Sequence, residues 1–300
     1  SSYQLDLVKS LHCDVAVLLN ITPDHLDRHG GMDGYQAAKM RIFQNQTERD
    51  VAVIGFDDVI TQSIAIGLSA NGPARVVQAS STYALGRGVS AVDGRLYDSS
   101  GGQANHVGKL DECIALPGRH NHQNASAAYA ACRSLGLDPQ TIMEGLRTFP
   151  GLAHRLELVG EIDGVRFVND SKATNAEAAE QALKAYKNAF WIAGGVAKAE
   201  GIQPLGPLFP NITKAYLIGE AEETFATTLK GQVAMQTCGT LEKAVEAAFR
   251  DAKAAGDDHP VILLSPACAS FDQFRDFEHR GDVFRSIVQS MMPQEMKELA

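Results

Sequence analysis

Three stretches of the chain carry residue types that bind and activate anionic groups. In NDSKATN (Asn169–Asn175) an acid, Asp170, and a base, Lys172, share a turn with Thr174, where a β-rich run gives way to a helical pattern. A lysine ammonium, hydroxyls and helix N–H groups together suit a phosphate or a carboxylate. A capped helix with a surface ion pair uses the same residue types. In SPACASFDQFRDFEHRG (Ser265–Gly281) the hydroxyls of Ser265 and Ser270 precede Phe271 and Phe277 among alternating charges. AGGVAKAEG (Ala193–Gly201) places Lys198 after a glycine pair, which lets backbone approach a ligand closely but is no dinucleotide fingerprint.

A second group lies earlier. NITPDHLDRH (Asn20–His29) gathers Asp24, His25 and Asp27 within four residues. Carboxylate and imidazole together can hold a divalent cation. Equally, Thr22 can cap a helix with Pro23 at its first position and Asp24 favouring the dipole. GRHNHQN (Gly118–Asn124) sets Asn121 and Asn124 at the start of an Ala-rich helix, as caps or as partners for an anion or a purine edge. Lys39, in YQAAKMRIF, reads as one lysine on an amphipathic helix, and its spacing says no more. No GxxxxGK[ST] occurs in the 300 residues, so the chain as given holds no Walker-A loop.

The elements that must position these residues alternate between strand and helix patterns. DVAVLLNI, VAVIG, RVVQAS, AFWIAGG, KAYLIG, QVAMQT and PVILLS read as strands. Asp33–Gln46, His120–Gly136, Ala173–Ala185, Glu220–Leu229 and Thr240–Ala255 read as helices, with another opening at Asp138-Pro139. Two Asp-Gly pairs, Asp93-Gly94 and Asp163-Gly164, predict hairpins. The pattern places the chain in the α/β class, with parallel sheets covered on both faces. TFPGLAHRLE interrupts both periods, giving domains over 1–150 and 151–300. Ligands of such sheets bind beyond the carboxyl ends of the strands. That rule predicts that NDSKATN, the Gly-Gly loop and SPACAS meet at one sheet edge.

Composition narrows the function. A net charge of −9 and 21% charged residues describe an acidic globular chain, a poor match for nucleic acid or a membrane surface. Five cysteines, none in a CxxC pair, point to reduced thiols in the cytoplasm. The chain opens at Ser1 without methionine and runs almost at once into DVAVLLN, as if entered partway through a domain.

Taken in order, NxxxDHxDRH, YxAAKxRI, HNxxN, HRLE, NDSKATN, Gly-Gly and SPACASFDQFxxFExRG resemble the Mur ligase family over essentially all 300 residues. The last motif points to the branch that adds D-glutamate. The resemblance implies the later part of a central ATP-binding domain followed by a Rossmann-like C-terminal amino-acid domain. It also implies a monomer that uses ATP, Mg2+, D-glutamate and UDP-N-acetylmuramoyl-L-alanine. On this likeness His25 is a magnesium ligand and Lys39 a lysine that takes up CO2 as a carbamate, itself a magnesium ligand. Asn121, Asn124, Arg155 and Asp170 fall on the ATP side. Lys172, Thr174, Lys198, Ser270, Phe271 and Phe277 surround D-glutamate, and Ser1, Gln4 and Tyr35 lie near the substrate. The family's P-loop has no counterpart in these residues, which leaves a non-catalytic binding fragment as one alternative; the DHxD and HNxxN positions, shared across the family, leave another Mur ligase or a folylpolyglutamate synthase as a further one.

Overall fold

The computed structural model describes residues 1–256 and 259–292. The chain forms two compact units, Ser1–Phe149 and the residues from Pro150 on. In the first, helix α1 (Ser2–Leu7) precedes strand β1 (Val15–Leu18), and α2 (Leu26–His29) and α3 (Met32–Met40) follow. Then come β2 (Val51–Gly55), α4 (Val59–Asn71), β3 (Arg75–Ser80), β4 (Val89–Val92), β5 (Arg95–Asp98) and β6 (Asn105–Lys109). Helices α5 (Arg119–Ser134) and α6 (Pro139–Thr148) close the unit. The sheet order is β1-β2-β3-β4-β5-β6, parallel through β4 and antiparallel beyond it. Every residue of β2 is buried, as expected of a strand covered on both faces. Its alternation sorts the core: Val51 and Val53 pack with Tyr129 and Ala130 of α5, whereas Ala52 and Ile54 pack with Tyr35, Phe43 and Ile64.

The second unit holds β7 (Glu157–Ile162), β8 (Val165–Asn169), α7 (Ala176–Ala185), β9 (Ala189–Gly194) and β10 (Ile212–Ile218). It continues with α8 (Glu222–Leu229), β11 (Met235–Gly239), α9 (Leu241–Ala255), β12 (Val261–Leu264) and α10 (Phe277–Met291). The order β11-β10-β9-β12-β8-β7 is parallel except for β7, which pairs antiparallel with β8 across the Asp163-Gly164 turn. Val168, Trp191 and Leu263 enter one apolar layer; Phe167, Phe190, Ile192 and Ile262 enter the other. Because β8, β12 and β9 are neighbours, the loops that leave their carboxyl ends are neighbours too.

Several local expectations shift. Thr22 and Pro23 start no helix: α2 begins only at Leu26, with His25 as its N-cap in the left-handed region (φ 51°) and no side-chain cap. Helix α5 is opened by Gly118 (φ 86°) with no side-chain cap, so the asparagines of GRHNHQN are not its N-cap. Helix α7 starts at Ala176 because Asn175 caps it, its side chain accepting from the Ala178 N–H at 2.8 Å. Strand β6 has no sequence signal. NHVGK is largely exposed, and pairing with β5 decides its conformation.

Candidate functional site

In the second unit, backbone hydrogen bonds lace three strand-end loops together. The Asp170 N–H donates to the Leu264 carbonyl at 2.7 Å, and the Gly194 N–H to the Pro266 carbonyl at 2.9 Å. Val196 and Ala269 form an isolated antiparallel bridge. Gly195 permits that approach: its φ is 126°, and a Cβ there would lie 2.3 Å from the Ala269 oxygen. NDSKATN, the Gly-Gly loop and SPACAS therefore do share one edge.

Beneath that edge lies Arg280, wholly buried on α10. Its Nε donates to Ser171 Oγ at 2.9 Å, and its Nη2 to the carbonyls of Ser171 (2.9 Å) and Cys268 (3.1 Å). Nη1, beside Gly195, has no partner among the described residues. Burial lowers the guanidinium pKa to about 10, which still leaves it charged at neutral pH. One cation thus ties two of the loops together and touches the third. Sequence reasoning left Arg280 without a role. FEHRG looks like an exposed charged helix start, and only tertiary closure turns the fourth residue of that helix inward.

Asp170 is also buried. Ser265 Oγ donates to its Oδ2 at 2.8 Å and the Leu156 N–H to its Oδ1 at 3.3 Å. Burial pushes its carboxyl up to about 7, opposed by those two hydrogen bonds and by Arg155. Arg155 itself is exposed, between His154 and Leu156, which both have positive φ (62° and 48°). Lys172 sets its Nζ 3.8 Å from the centroid of the Phe277 ring, and Ser171 Oγ donates to the Phe277 carbonyl at 2.8 Å. The Thr174 N–H bonds to the Lys172 carbonyl at 2.8 Å, closing a tight turn. Ser270 is buried, whereas Phe271 is 72% exposed. Lys198 is exposed and lines a cleft of about 270 Å³ with Asn175, Glu177, Glu180 and Glu200; neither Lys172 nor Phe277 lines that cleft. The unit thus offers a lysine resting on an aromatic face, with a buried cation and a neutralisable acid nearby, a setting suited to a carboxylate ligand.

The first unit holds the other candidates. His25 is exposed, its Nε2 3.3 Å from Asp24 Oδ2 and its ring edge-on to Tyr3 at 5.0 Å. Lys39 lies with Nζ 5.0 Å from the centroid of the buried Tyr35 ring and has no ion-pair partner among the described residues. Ser1 and Gln4 form a capping box that starts α1. Asn121 Nδ2 donates to the Pro117 carbonyl at 2.9 Å and Asn124 Nδ2 to Asn121 Oδ1 at 3.2 Å. No group of three His, Cys, Asp or Glu side chains able to hold a metal occurs among the described residues. No helix among them is long and apolar enough to cross a membrane.

Comparison with known proteins agrees with this layout. Residues 1–132 match the Mur ligase middle domain, and residues 154–268 match the Mur ligase glutamate ligase domain. UDP-N-acetylmuramoylalanine--D-glutamate ligase of Caulobacter vibrioides is 57% identical over 291 residues, covering 97% of this chain and 62% of that protein. Its counterpart in Rhodospirillum rubrum is 56% identical over 293 residues, covering 96% and 60%. The chain spans about three fifths of the length of these curated relatives. Among solved structures, a UDP-N-acetylmuramoyl-L-alanyl-D-glutamate--2,6-diaminopimelate ligase superposes with a TM-score of 0.63 at 20% identity, covering 97% of this chain and 63% of that one. A MurF ligase from Thermotoga maritima in complex with ADP gives 0.57 at 18%, covering 93% and 63%. At such identities the structural likeness speaks for the fold alone.

Proposed function

The chain belongs to the Mur ligase family, and from that premise we propose that it serves the ATP-dependent joining of D-glutamate to UDP-N-acetylmuramoyl-L-alanine in cytoplasmic peptidoglycan precursor synthesis. The observation that carries the reading is the laced edge of the second unit, where Lys172 on Phe277 and the buried Arg280 lie among the three loops. A carboxylate does not react with an amine unaided. In the proposed reaction the substrate carboxylate attacks the γ-phosphorus of ATP, releasing ADP and leaving an acyl phosphate. The D-glutamate amine then attacks that carbonyl, the amide forms, and phosphate departs. Stabilising the oxygen charge that develops in both steps is the main demand on the protein.

Within this reading Lys172, Thr174, Lys198, Ser270, Phe271 and Phe277 hold D-glutamate, whose two carboxylates need cationic or hydroxyl partners once desolvated. Asn121, Asn124, Arg155 and Asp170 serve the nucleotide, while Ser1, Gln4 and Tyr35 lie near the substrate. Magnesium, when bound, would neutralise charge on phosphate oxygens. The sparse donor set fits it, because Mg2+ commonly takes only one or two protein carboxylates and fills its shell with phosphate and water. His25 supplies an imidazole. Lys39 as an ammonium has no lone pair to give, but as a carbamate it offers carboxylate-type oxygens, and among the described residues it has no acid partner to compete for it.

The 300 residues contain no P-loop, which favours a second reading for the chain by itself, ligand binding without turnover. Calorimetry with D-glutamate, L-alanine and diaminopimelate tests the assignment, and selective binding of D-glutamate is expected. Preference for either competitor removes it. Phosphate release that depends on D-glutamate, in the presence of ATP and the UDP-linked substrate, would refute the binding-only reading.

A further inference from the structure

We infer that His29 is a positioning residue of the first unit, holding His25 and Lys39 in one arrangement through Tyr3 and Tyr35; the inference rests on the carbamate reading of Lys39. His25 and His29 are four residues apart, a spacing that on one helix face can present two imidazoles to a metal. The structure separates their roles. His25 stands outside the helical conformation (φ 51°) with its ring exposed. His29 ends α2 half-buried, its Nε2 3.1 Å from the hydroxyl of the buried Ser2. That nitrogen is engaged within the protein, so His29 acts through its neighbours.

Those neighbours lead in both directions. The His29 ring lies 5.6 Å from Tyr35, over whose ring Lys39 Nζ sits at 5.0 Å. It lies 6.1 Å from Tyr3, whose ring meets His25 edge-on at 5.0 Å and carries the Arg28 guanidinium at 4.5 Å. The backbone fixes the hub as well. The His29 carbonyl oxygen lies only 1.9 Å from where a Cβ on Gly34 would stand, so α2 abuts the first turn of α3 with no room for a side chain. Helix α1, six residues long, is too short to persist alone. Ser2 and Tyr3 bring it to His29, and Asp6 faces Arg28 (3.7 Å) and Arg41 (3.8 Å). One imidazole therefore sets the Tyr35 face on which the lysine chain ends and the Tyr3 edge that backs His25.

Carbamate formation reads this arrangement directly. CO2 adds to the neutral amine of Lys39, a C–N bond forms, and the proton lost from nitrogen goes to solvent. The full chain, equilibrated with carbon-13 bicarbonate, should show a carbamate carbonyl resonance that disappears in Lys39→Ala. His29→Phe keeps a ring but loses the bond to Ser2, and Ser2→Ala loses the same bond from the other side. Each is expected to lower the equilibrium constant for carbamylation, read from the carbamylated fraction over a CO2 titration, about fivefold, the shift that loss of one ordinary hydrogen bond gives, with an unchanged far-ultraviolet spectrum. A fraction unchanged in His29→Phe overturns the role of His29 and leaves the carbamate reading intact. If His29→Phe does not fold, Ser2→Ala decides on the same terms. Absence of the resonance from the unaltered chain overturns both.

Discussion

Asp170 shows how a single residue couples the site to stability. Its carboxyl is raised from the usual 3.8 to about 7 by burial, so the folded chain holds the proton more tightly than the unfolded chain does. Between those two values the folded state binds more protons, and stability must fall as pH rises from about 4 to 7. The drop should be on the order of a few kcal/mol. Asp170→Asn keeps an acceptor for the Leu156 N–H and has no proton to lose. Melting temperatures at pH 5 and 7.5 should therefore differ clearly in the parent and much less in the variant; an equal difference would show that Asp170 does not titrate in this window. Arg280 makes the complementary case. Arg280→Met leaves the buried carbonyls of Ser171 and Cys268 without their donor, which should cost about 3 kcal/mol in urea unfolding. A loss below about 0.5 kcal/mol would mean that the loops hold without it. Sequence reasoning found Asp170 because it stands in a turn after a strand. It missed Arg280 because nothing local distinguishes an inward arginine from the surface charges beside it. Lys39 was equally silent to periodicity, and only the ordered motifs singled it out.

At the scale of elements, the strands were legible because their apolar runs are continuous, and the rule that ligands gather at carboxyl ends located the three loops of the second unit. Helix starts were less legible. A proline after a threonine looks like a cap, yet at Thr22-Pro23 the chain instead runs on to His25 in a left-handed conformation that the Thr-Pro signal does not announce. Strand β6 escaped because its partner, rather than its own sequence, makes it a strand. What joins the loops is backbone fit, and Gly195 tests it. At φ 126°, with a Cβ 2.3 Å from the Ala269 oxygen, Gly195→Ala is both strained and obstructed. It should break the Val196–Ala269 bridge and destabilise the second unit by about 2 kcal/mol or more. Amide hydrogen exchange at Val196 and Ala269, whose N–H groups donate at 2.9 and 3.0 Å, would report the opening. Unchanged protection at both amides would show that the loops are held by other means.

The molecule as a whole divides its chemistry between two units, each with its own sheet and its own pair of apolar layers: Tyr129 and Tyr35 mark those of the first, Trp191 and Phe167 those of the second. A unit with its own apolar core should fold by itself. The proposed D-glutamate ligands all lie in the second unit, so D-glutamate recognition should travel with it. Residues from Pro150 on, expressed alone, are expected to give a cooperative melt and a calorimetric signal with D-glutamate. Lys172→Met should abolish that signal, because it removes the ammonium that rests on Phe277 while leaving an apolar stem of similar length on the ring. Residues 1–149 should melt cooperatively and give no signal with D-glutamate. Binding by the first unit, or binding by the second that survives Lys172→Met, would place the amino-acid site elsewhere. Because the buried Arg280 belongs to the second unit, its substitution in that isolated unit should lower the melting temperature and weaken the same signal only as far as the variant is unfolded at the temperature of the titration.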